Sequence, residues 1–129
     1  MATVNNFEEL EIWQMAREIC KKIHVYSQRE GFRKDFSLID QMKRSGGSIM
    51  DNIAEGFERE GKKEFIQYLY ISKGSSGECR SQTYRALDRK YITEEEHKEL
   101  YSMLKNESQK IRAFIQYLKQ SGYKGQKYK

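Results

Sequence analysis

The 129-residue sequence contains no proline and has only two cysteines and two histidines. Because loops and strand edges normally use some proline, its absence favours long uninterrupted helices. The sequence also lacks any run of about 18 uncharged apolar residues, so no membrane-spanning helix and no membrane partner are expected. Only 37% of the residues are hydrophobic, yet aromatic residues reach 12% and recur at regular spacing, which disfavours a disordered chain. A small all-α domain is the class that remains.

The two cysteines show no pattern typical of metal binding or redox chemistry. Cys20 and Cys79 lie far apart and without CxxC spacing, so we interpret them as buried free thiols. The first six residues are polar and lack the apolar region of a signal peptide. Both features are typical of a protein of the reducing cytoplasm, which is the predicted localisation.

Metal sites need ligands at fixed spacings, and the sequence supplies few of them. A carboxylate-bridged di-metal site in a helix bundle requires two Glu-x-x-His pairs. Glu94 and His97 form one such pair, but Lys21 precedes His24 at the same offset. A zinc site is equally disfavoured, because the cysteines and histidines are scattered. We therefore predict no metal and no other cofactor.

No arrangement of catalytic residues is evident either. Nucleophilic catalysis requires a nucleophile, a base and an orienting group, and phosphate-loop and dinucleotide motifs are absent. The segment Gly74-Ser75-Ser76-Gly77 matches the GXXG loop of KH domains, but that loop accompanies a β-sheet and no strand is predicted here. Because the segment continues a helical apolar period, we expect it to pack closely against a neighbouring helix. A non-enzymatic protein is the prediction.

Apolar residues recur at three- and four-residue steps in four segments of the sequence. This periodicity predicts helices over about residues 6–28, 36–57, 62–91 and 94–120. Asn6 with Glu9, and Thr93 with Glu96, have capping-box spacing, and Asp35 or Ser37 can cap the second helix. With short connections, the pattern predicts a single domain over residues 1–129, an antiparallel up-down-up-down four-helix bundle. Residues 121–129 are expected to form a mobile basic tail.

Two of these helices carry small residues with consequences for packing. Gly46-Gly47 in the second helix costs about 1 kcal/mol per glycine, so the helix is expected to be kinked or closely packed there. The third helix has one stripe rich in small side chains and a second stripe about 100° around the axis. A helix that is apolar on two sides either is central in its bundle or contacts another subunit. For the second case, three residues of the second stripe are oligomer-interface candidates: Ile66, Tyr70 and Tyr84.

Positive charge is unevenly distributed along the chain, whose formal net charge is +5. Residues 61–90 hold seven Lys and Arg against three Asp and Glu, and residues 119–129 hold four lysines and no acid. Basic groups interleaved with tyrosines can neutralise phosphates and stack on unpaired bases. The alternative is a solvated helix face with a solubilising tail. The candidate nucleic-acid-binding residues are Lys73, Arg80, Arg85, Arg89, Lys90, Lys119, Lys124 and Lys127.

The second predicted helix contains the most informative motif. Gln41-Met42-Lys43-Arg44-Ser45 leads into Ser48-Ile49-Met50-Asp51-Asn52-Ile53-Ala54-Glu55-Gly56. This run resembles the signature QxxRA…SIxxNIAEG of the bacterial 23S rRNA intervening-sequence protein family. Weaker matches in the first and third helices extend the resemblance over about residues 7–118. The sequence departs from the family at Met50, where proline is frequent, and at Ser45-Gly46-Gly47, where alanine is more common.

The resemblance implies an up-down four-helix bundle that assembles as a homopentamer, a ring-like oligomer around a central channel. A related accessory protein of diversity-generating retroelements works beside a reverse transcriptase, and many family members are encoded within inserts in ribosomal RNA genes. No catalytic residues are established for the family. Polar groups on a helix need partners, so Asn52 and Glu55 are expected to bind neighbouring backbone or Arg44. The motif residues expected to have structural roles are Arg44, Ser48, Asn52, Glu55 and Gly56.

Two non-enzymatic functions therefore compete. The first is a homo-oligomeric protein that binds structured RNA or other nucleic acid, with a weak basic patch multiplied by oligomerisation. Its recognition would be directed mostly at the phosphate backbone, because no base-reading motif is present. The second is a protein–protein scaffold or an accessory subunit of a nucleic-acid enzyme, without direct contact to nucleic acid. The two-sided third helix is the feature that motivates the second function.

Overall fold

The structure, a computed structural model, describes residues 4–121. Its four α-helices are α1 (Glu11–Ser27), α2 (Phe36–Glu58), α3 (Lys62–Asp88) and α4 (Glu94–Gln120). Short 3-10 turns, Phe7–Glu9 and Phe32–Lys34, precede α1 and α2. The described residues contain no β-strand, which confirms the all-α prediction. Most of the predicted basic tail, with Lys124 and Lys127, lies outside the described residues.

Contacts between α2 and α3 show that these two helices are antiparallel. Asp35, which caps the start of α2, forms an ion pair of 2.7 Å with Arg89, just beyond the end of α3. At the opposite end, the hydroxyl of Tyr68 donates to the carboxylate of Glu55 at 3.2 Å. The α2 start therefore meets the α3 end, and the α2 end meets the α3 start.

The other helix pairs are antiparallel in the same way. Near the α3 start, the Tyr70 hydroxyl accepts a hydrogen bond of 2.7 Å from Lys119 near the α4 end. Lys22 in the second half of α1 pairs with Glu99 in the first turns of α4 at 2.8 Å. The pairs α2–α3, α3–α4 and α4–α1 are therefore each antiparallel, so the four helices run up-down-up-down. The predicted four-helix bundle is confirmed.

Two helix ends differ from the predicted bounds for local reasons. Asn6 and Glu9 do interact, but they close only the first 3-10 turn, and the extended backbone of Leu10 separates this turn from α1. The second difference is at the C-terminal end of α3, where Lys90 has a φ of 62°. This left-handed residue ends α3 at Asp88 and lets the Tyr91 amide donate to the Ala86 carbonyl at 2.9 Å.

The core lies along the bundle axis, where each helix contributes one apolar stripe. The stripes follow the predicted three- and four-residue spacing, so large aliphatic side chains from all four helices meet at the centre. Fully buried members include Ile19, Ile23, Ile49, Ile53, Leu69, Leu100, Leu104 and Ile111. Aromatic rings close one end, where Phe65 packs edge-to-face against Phe57 and Phe114. Burial of this apolar surface is the main force that holds the bundle together.

Buried serine hydroxyls connect α3 to the helices on both sides. Ser72 donates to the carbonyl of Ile49 in α2 at 2.7 Å, and Ser76 donates to the carbonyl of Leu104 in α4 at 2.8 Å. Ser108 of α4 in turn donates to the Ser76 hydroxyl at 2.9 Å. Because these side chains are short, the helix backbones approach closely, as the small-residue stripe predicted.

Glycines in α2 also permit close approach, although not at every position. A Cβ on Gly56 would lie 2.6 Å from the Cβ of Tyr68, and one on Gly46 would lie 3.0 Å from Cδ1 of Ile23. A Cβ on Gly47 would meet no atom within 4 Å. The prediction of close packing is therefore right for Gly46, whereas nothing in the structure explains Gly47.

Glu107 of α4 is an unusual component of the core. Its side chain is fully buried, and neither carboxylate oxygen has a hydrogen-bond partner among residues 4–121. Burial, with a smaller contribution from the charge of nearby Glu11, raises the pKa of this carboxyl to about 8. The group is therefore mostly protonated at neutral pH, because an unpaired buried carboxylate is far more costly than the neutral acid.

We expect Gly56 and Gly47 of α2 to respond oppositely to replacement by alanine. Gly56→Ala forces α2 and α3 apart and should lower the free energy of unfolding by about 1–3 kcal/mol. Gly47→Ala meets open space and should raise it by about 1 kcal/mol through helix propensity. Urea unfolding followed by circular dichroism measures both changes, and equal effects of the two substitutions would contradict this account of the α2–α3 contact.

Glu107 should make stability fall as pH rises. Its folded pKa of about 8 exceeds the ordinary value of 4.5, so the folded state binds more protons between these two values. The free energy of unfolding should therefore decrease from about pH 5 to pH 8 by up to about 1.4 kcal/mol per pH unit. Glu107→Gln cannot ionise and should flatten this dependence in urea unfolding at pH 5.5, 7 and 8.5. Parallel curves for the two proteins would refute the assignment.

Candidate nucleic-acid interface

A groove of about 350 Å³ runs between α3 and α4 on the surface of the bundle. It lies directly above the Ser76–Ser108 contact, where short side chains bring the two helices together. Four cations line it, two from each helix, and none of the described lining residues is acidic. The lining residues are Lys73, Gly74, Gly77 and Arg80 of α3, and Lys105, Ser108, Gln109 and Arg112 of α4.

Three of the groove cations are not engaged by other side chains. No ion pair among residues 4–121 includes Lys73, Lys105 or Arg112. Lys105 and Arg112 are exposed, and Lys73 is half-buried. Since like charges in one groove repel each other, this arrangement is unfavourable unless an anion lies between them.

Two of the residues that line the groove are glycines, and they differ from the prediction of close helix packing. Close helix packing was expected for Gly74-Ser75-Ser76-Gly77, and it is correct for the buried Ser76 but wrong for the glycines. A Cβ on Gly74 or Gly77 would meet no atom within 4 Å. Each glycine weakens the helix by about 1 kcal/mol relative to alanine, with no packing contact in return. What they do provide is bare backbone at the surface of a basic groove.

At each end of the groove, a basic side chain lies against a tyrosine ring. At one end the guanidinium carbon of Arg80 lies 5.6 Å from the ring centroid of Tyr101, a cation–π contact. Tyr84, one helical turn beyond Arg80, is 47% exposed. At the other end the Lys119 ammonium lies 5.3 Å from the Tyr70 ring centroid. The α3–α4 face thus combines basic and aromatic groups, with tyrosines other than those of the C-terminal tail on which the sequence prediction relied.

The remaining predicted cations lie elsewhere in the described bundle. Arg85 donates to the side-chain oxygen of Gln41 at 2.8 Å and so faces α2. Arg89 is paired with Asp35, whose pKa is lowered by hydrogen bonds from Tyr91 and then Arg89. Lys90 occupies the left-handed position that ends α3. The structure therefore brings together Lys73 and Arg80, and Lys119 at the far end, but not the C-terminal cations of α3.

Sequence reasoning missed the two α4 cations that complete the groove. Lys105 and Arg112 are separated by seven residues, with Ser108 and Gln109 between them, which places all four on one side of a helix. This polar stripe was a usable signal. It was overlooked because residues 91–118 hold four Lys and Arg against five Asp and Glu, so the segment as a whole is not basic.

The family-motif residues lie along the contact between α2 and α3. Asn52 donates to both the carbonyl and the hydroxyl of Ser48 at 2.8 Å, and the Ser48 hydroxyl lies 2.8 Å from that of Ser75. Glu55 accepts hydrogen bonds from Tyr68 and Arg59. These contacts, with the tight Gly56 position, favour the structural roles predicted for them.

Arg44 does not have the predicted partners. Its side chain is 80% exposed and pairs with Asp40 at 3.0 Å rather than with Asn52 or Glu55, because it points to solvent beside a second cleft. This cleft of about 310 Å³ is lined by both signs of charge, Arg44 and Glu78, together with uncharged polar residues. It is therefore less suited to a polyanion than the α3–α4 groove.

The oligomer-interface candidates lie on the α3 side that borders α4. Tyr70 is 48% exposed and Ile71 beside it is 52% exposed, whereas Ile66 is half-buried against the core. Tyr84 contacts the His97 ring, with centroids 4.4 Å apart. These three residues of the second stripe lie outside the groove lining, on either side of the groove residues of α3.

The two cysteines of the described bundle are located away from the groove. Cys20 and Cys79 are free, and burial raises their pKa values to about 11 and about 12, so both thiols are protonated at neutral pH. Among residues 4–121, no three His, Cys, Asp or Glu side chains are grouped closely enough to hold a metal ion. No helix in that range has the length and apolar content needed to cross a membrane.

Comparisons with known proteins relate this bundle to a family. The 23S rRNA-intervening sequence protein family matches residues 8–113, whereas no curated protein matches the sequence. A crystal structure of a protein of unknown function, from the S23 ribosomal protein family of Bacteroides thetaiotaomicron VPI-5482, has a similar fold. It has a TM-score of 0.74 and 23% sequence identity, covering 81% of this chain and 97% of that chain. The resemblance inferred from the α2 motif is thus confirmed, and the chain belongs to the 23S rRNA-intervening sequence protein family.

Proposed function

We propose that this protein is a non-enzymatic, cytoplasmic nucleic-acid-binding module whose site is the α3–α4 groove. The observation that carries the proposal is the set of four cations, Lys73, Arg80, Lys105 and Arg112, around bare glycine backbone with no acid among the described lining residues. RNA is the favoured ligand, because the family is named after a 23S rRNA intervening sequence. The free cysteines suit a reducing compartment.

The charge and shape of the groove suit a phosphate backbone better than a compact anion. Its cations are spread along two antiparallel helices, with Lys73 opposite Arg112 and Arg80 opposite Lys105, instead of converging on one point. A chain of phosphates can contact all four in succession. Four such contacts on a single strand predict a slope of log affinity against log salt of about −3.

Bare backbone at Gly74 and Gly77 supports the same ligand. A nucleic-acid strand that enters a groove between two helices needs room for its sugars beside the phosphates. Because no side chain projects from these positions, the strand can approach the α3 backbone. The loss of helix stability at two positions then has a functional reason, which the protein packing does not provide.

We also propose that the protein assembles from several copies, as a pentamer by the family resemblance. Exposed Tyr70 and Ile71 on α3 support an interface near the α3 start, at the opposite end of the groove from Tyr84. Assembly would place several grooves on one particle and multiply a weak individual affinity.

A scaffold that binds another protein is the second candidate function. Two apolar side chains near the α1–α2 connection favour it, since Val25 is 61% exposed and Phe36 is 79% exposed. This surface lies at a different place on the bundle from the groove. A scaffold could therefore act together with nucleic-acid binding or without it.

Removing the four positive charges of the groove should abolish most of the RNA binding. The variant with Lys73, Arg80, Lys105 and Arg112 all changed to Gln should bind a fluorescent single-stranded RNA far more weakly at low salt. Its slope of log affinity against log salt should be smaller in magnitude by about 3. Fluorescence anisotropy at several salt concentrations measures both quantities.

The matched control changes four exposed cations on the α1–α2 side to Gln: Lys21, Arg33, Lys34 and Lys43. Both variants lose the same net charge, so equal losses of affinity would show only a diffuse charge effect and would reject the groove. The double variant Gly74→Ala, Gly77→Ala provides a charge-neutral test. It should unfold at higher urea concentration, with about 1 kcal/mol gained per site, yet bind the RNA more weakly.

Self-association should be visible in solution as a mass several times 15.4 kDa. Replacing Tyr70 and Ile71 with Ser and Asn should shift the protein to monomer, because it removes exposed apolar surface that a partner copy would bury. Phe36→Ser is the control, since it removes an apolar side chain at another place. Multi-angle light scattering at micromolar concentration measures the mass, and a monomeric wild-type protein would overturn this part of the proposal.

A further inference from the structure

Three rings form a cluster at one end of the α3–α4 groove. Tyr84 of α3 and His97 and Tyr101 of α4 have ring centroids between 4.4 and 6.0 Å apart. Arg80 connects this cluster to the groove, because it lines the groove and also lies over the Tyr101 ring. We name Tyr84, His97 and Tyr101 the ring cluster. A strand whose phosphates contact the groove cations therefore passes directly beside it.

The ring cluster leaves aromatic surface of Tyr84 exposed to solvent. Their planes are tilted by 57°, 77° and 39° to one another, so none of the three pairs is stacked face to face. Tyr84 is 47% exposed, and Tyr101 is half-buried. An exposed ring face beside a guanidinium is the kind of surface on which an unpaired base stacks.

His97 gives the cluster a polar atom without a partner. The residue is 9% exposed, and its Nε2 is buried and makes no hydrogen bond within residues 4–121. The ring closest to it is that of Tyr84, whose own side chain is half-exposed. A movement of the Tyr84 side chain would open Nε2 to the polar edge of an inserted base. Buried polar groups without partners are rare, which makes this one a site for a ligand atom.

Tyr70, at the opposite end of the groove, differs from the ring cluster both in its ring surface and in its polar atom. The Tyr70 hydroxyl accepts a hydrogen bond from Lys119, and the Lys119 ammonium also lies over its ring. One face and the polar atom of Tyr70 are therefore already occupied by the protein. Tyr68 of α3 is occupied in the same way, since its hydroxyl donates to Glu55 and the Arg59 guanidinium lies over its ring. Because Tyr68 lies outside both the groove lining and the proposed subunit interface, it is the matched control position for Tyr84.

We infer that the ring cluster holds one unpaired base, and that the ligand of the α3–α4 groove is therefore single-stranded RNA or an RNA segment with an unpaired nucleotide. This inference depends on the proposed function, since the groove must first bind the strand. In a duplex the bases are stacked on each other and paired, so their faces cannot reach Tyr84. The groove alone would accept either form through its phosphates, whereas the ring cluster discriminates between them.

The test uses the full-length protein and a twelve-nucleotide RNA with one 2-aminopurine, either single-stranded or annealed to its complement. The single strand should bind more tightly, and stacking should quench the 2-aminopurine fluorescence on binding. Tyr84→Leu should weaken single-strand binding by about 5- to 100-fold, the usual effect of losing one base–aromatic contact. Duplex binding should change little. Tyr84→Phe keeps the ring and should retain the quenching, and Tyr68→Leu should leave it intact.

His97 offers a second readout that does not depend on a substitution. The chain has two histidines, so ¹⁵N spectra of the imidazoles contain two sets of signals. Addition of the single strand should shift Nε2 of His97 and leave the exposed His24 unchanged. A shift at neither residue, with no quenching, would overturn the base site.

The outcomes separate this inference from the proposed function. Equal affinity for single strand and duplex, without quenching, would reject the ring cluster as a base site while the groove remained a phosphate site. Absence of binding to either RNA at low salt would reject both proposals. Circular dichroism of Tyr84→Leu checks that the bundle is folded, and the quenching and the histidine spectra of the wild-type protein decide the question if that variant unfolds.

Discussion

The close approach of α3 to α2 and α4 is the constraint on which the rest of this structure depends. It is set by buried hydroxyls, with Ser72 bound to a carbonyl of α2 and Ser76 bound to a carbonyl of α4. A hydroxyl buried without a partner is costly, so each serine is satisfied at only one register of the neighbouring helix. The apolar stripes alone would allow a helix to shift along its axis. The serines define where α3 lies, and with it every side chain that borders the groove.

Charge is partitioned among the contacts between helices in a way that follows from this packing. The ion pair between Lys22 of α1 and Glu99 uses an acid of α4 that faces α1, whereas the pair between Glu11 of α1 and Lys110 uses a base of α4. Arg29 likewise pairs with Glu96 and lowers the pKa of that carboxyl to about 2. Lys105 and Arg112, on the α4 face toward α3, form no ion pair among residues 4–121. The net charge of α4 is therefore a poor guide to the groove, because Glu96 and Glu99 face α1 whereas Lys105 and Arg112 face α3.

The sequence predicted the fold well because helical periodicity is a local property. The apolar spacing, the Thr93 cap and the α2 motif each depend on residues within one helix, and the family match supports the fold derived from them. The site was predicted only in part, since a groove joins two helices whose relative rotation is set by packing. That is why Lys73 and Arg80 were identified while Lys105 was missed. It is also why the Gly74 and Gly77 prediction failed: a glycine that is packed and one that is exposed look the same in a sequence.

Several features that lower the stability of the fold occur in α3 and α4 around the groove. Gly74 and Gly77 weaken a helix without packing against anything, and the four cations repel each other. Within residues 4–121, the buried Nε2 of His97 has no hydrogen-bond partner. The α2–α3 contact, by comparison, has paired serines and a satisfied Asn52. Departures from good local chemistry are tolerated mainly where they serve a function. Their concentration on one side of the bundle is an argument for the α3–α4 face that does not depend on the sign of its charge.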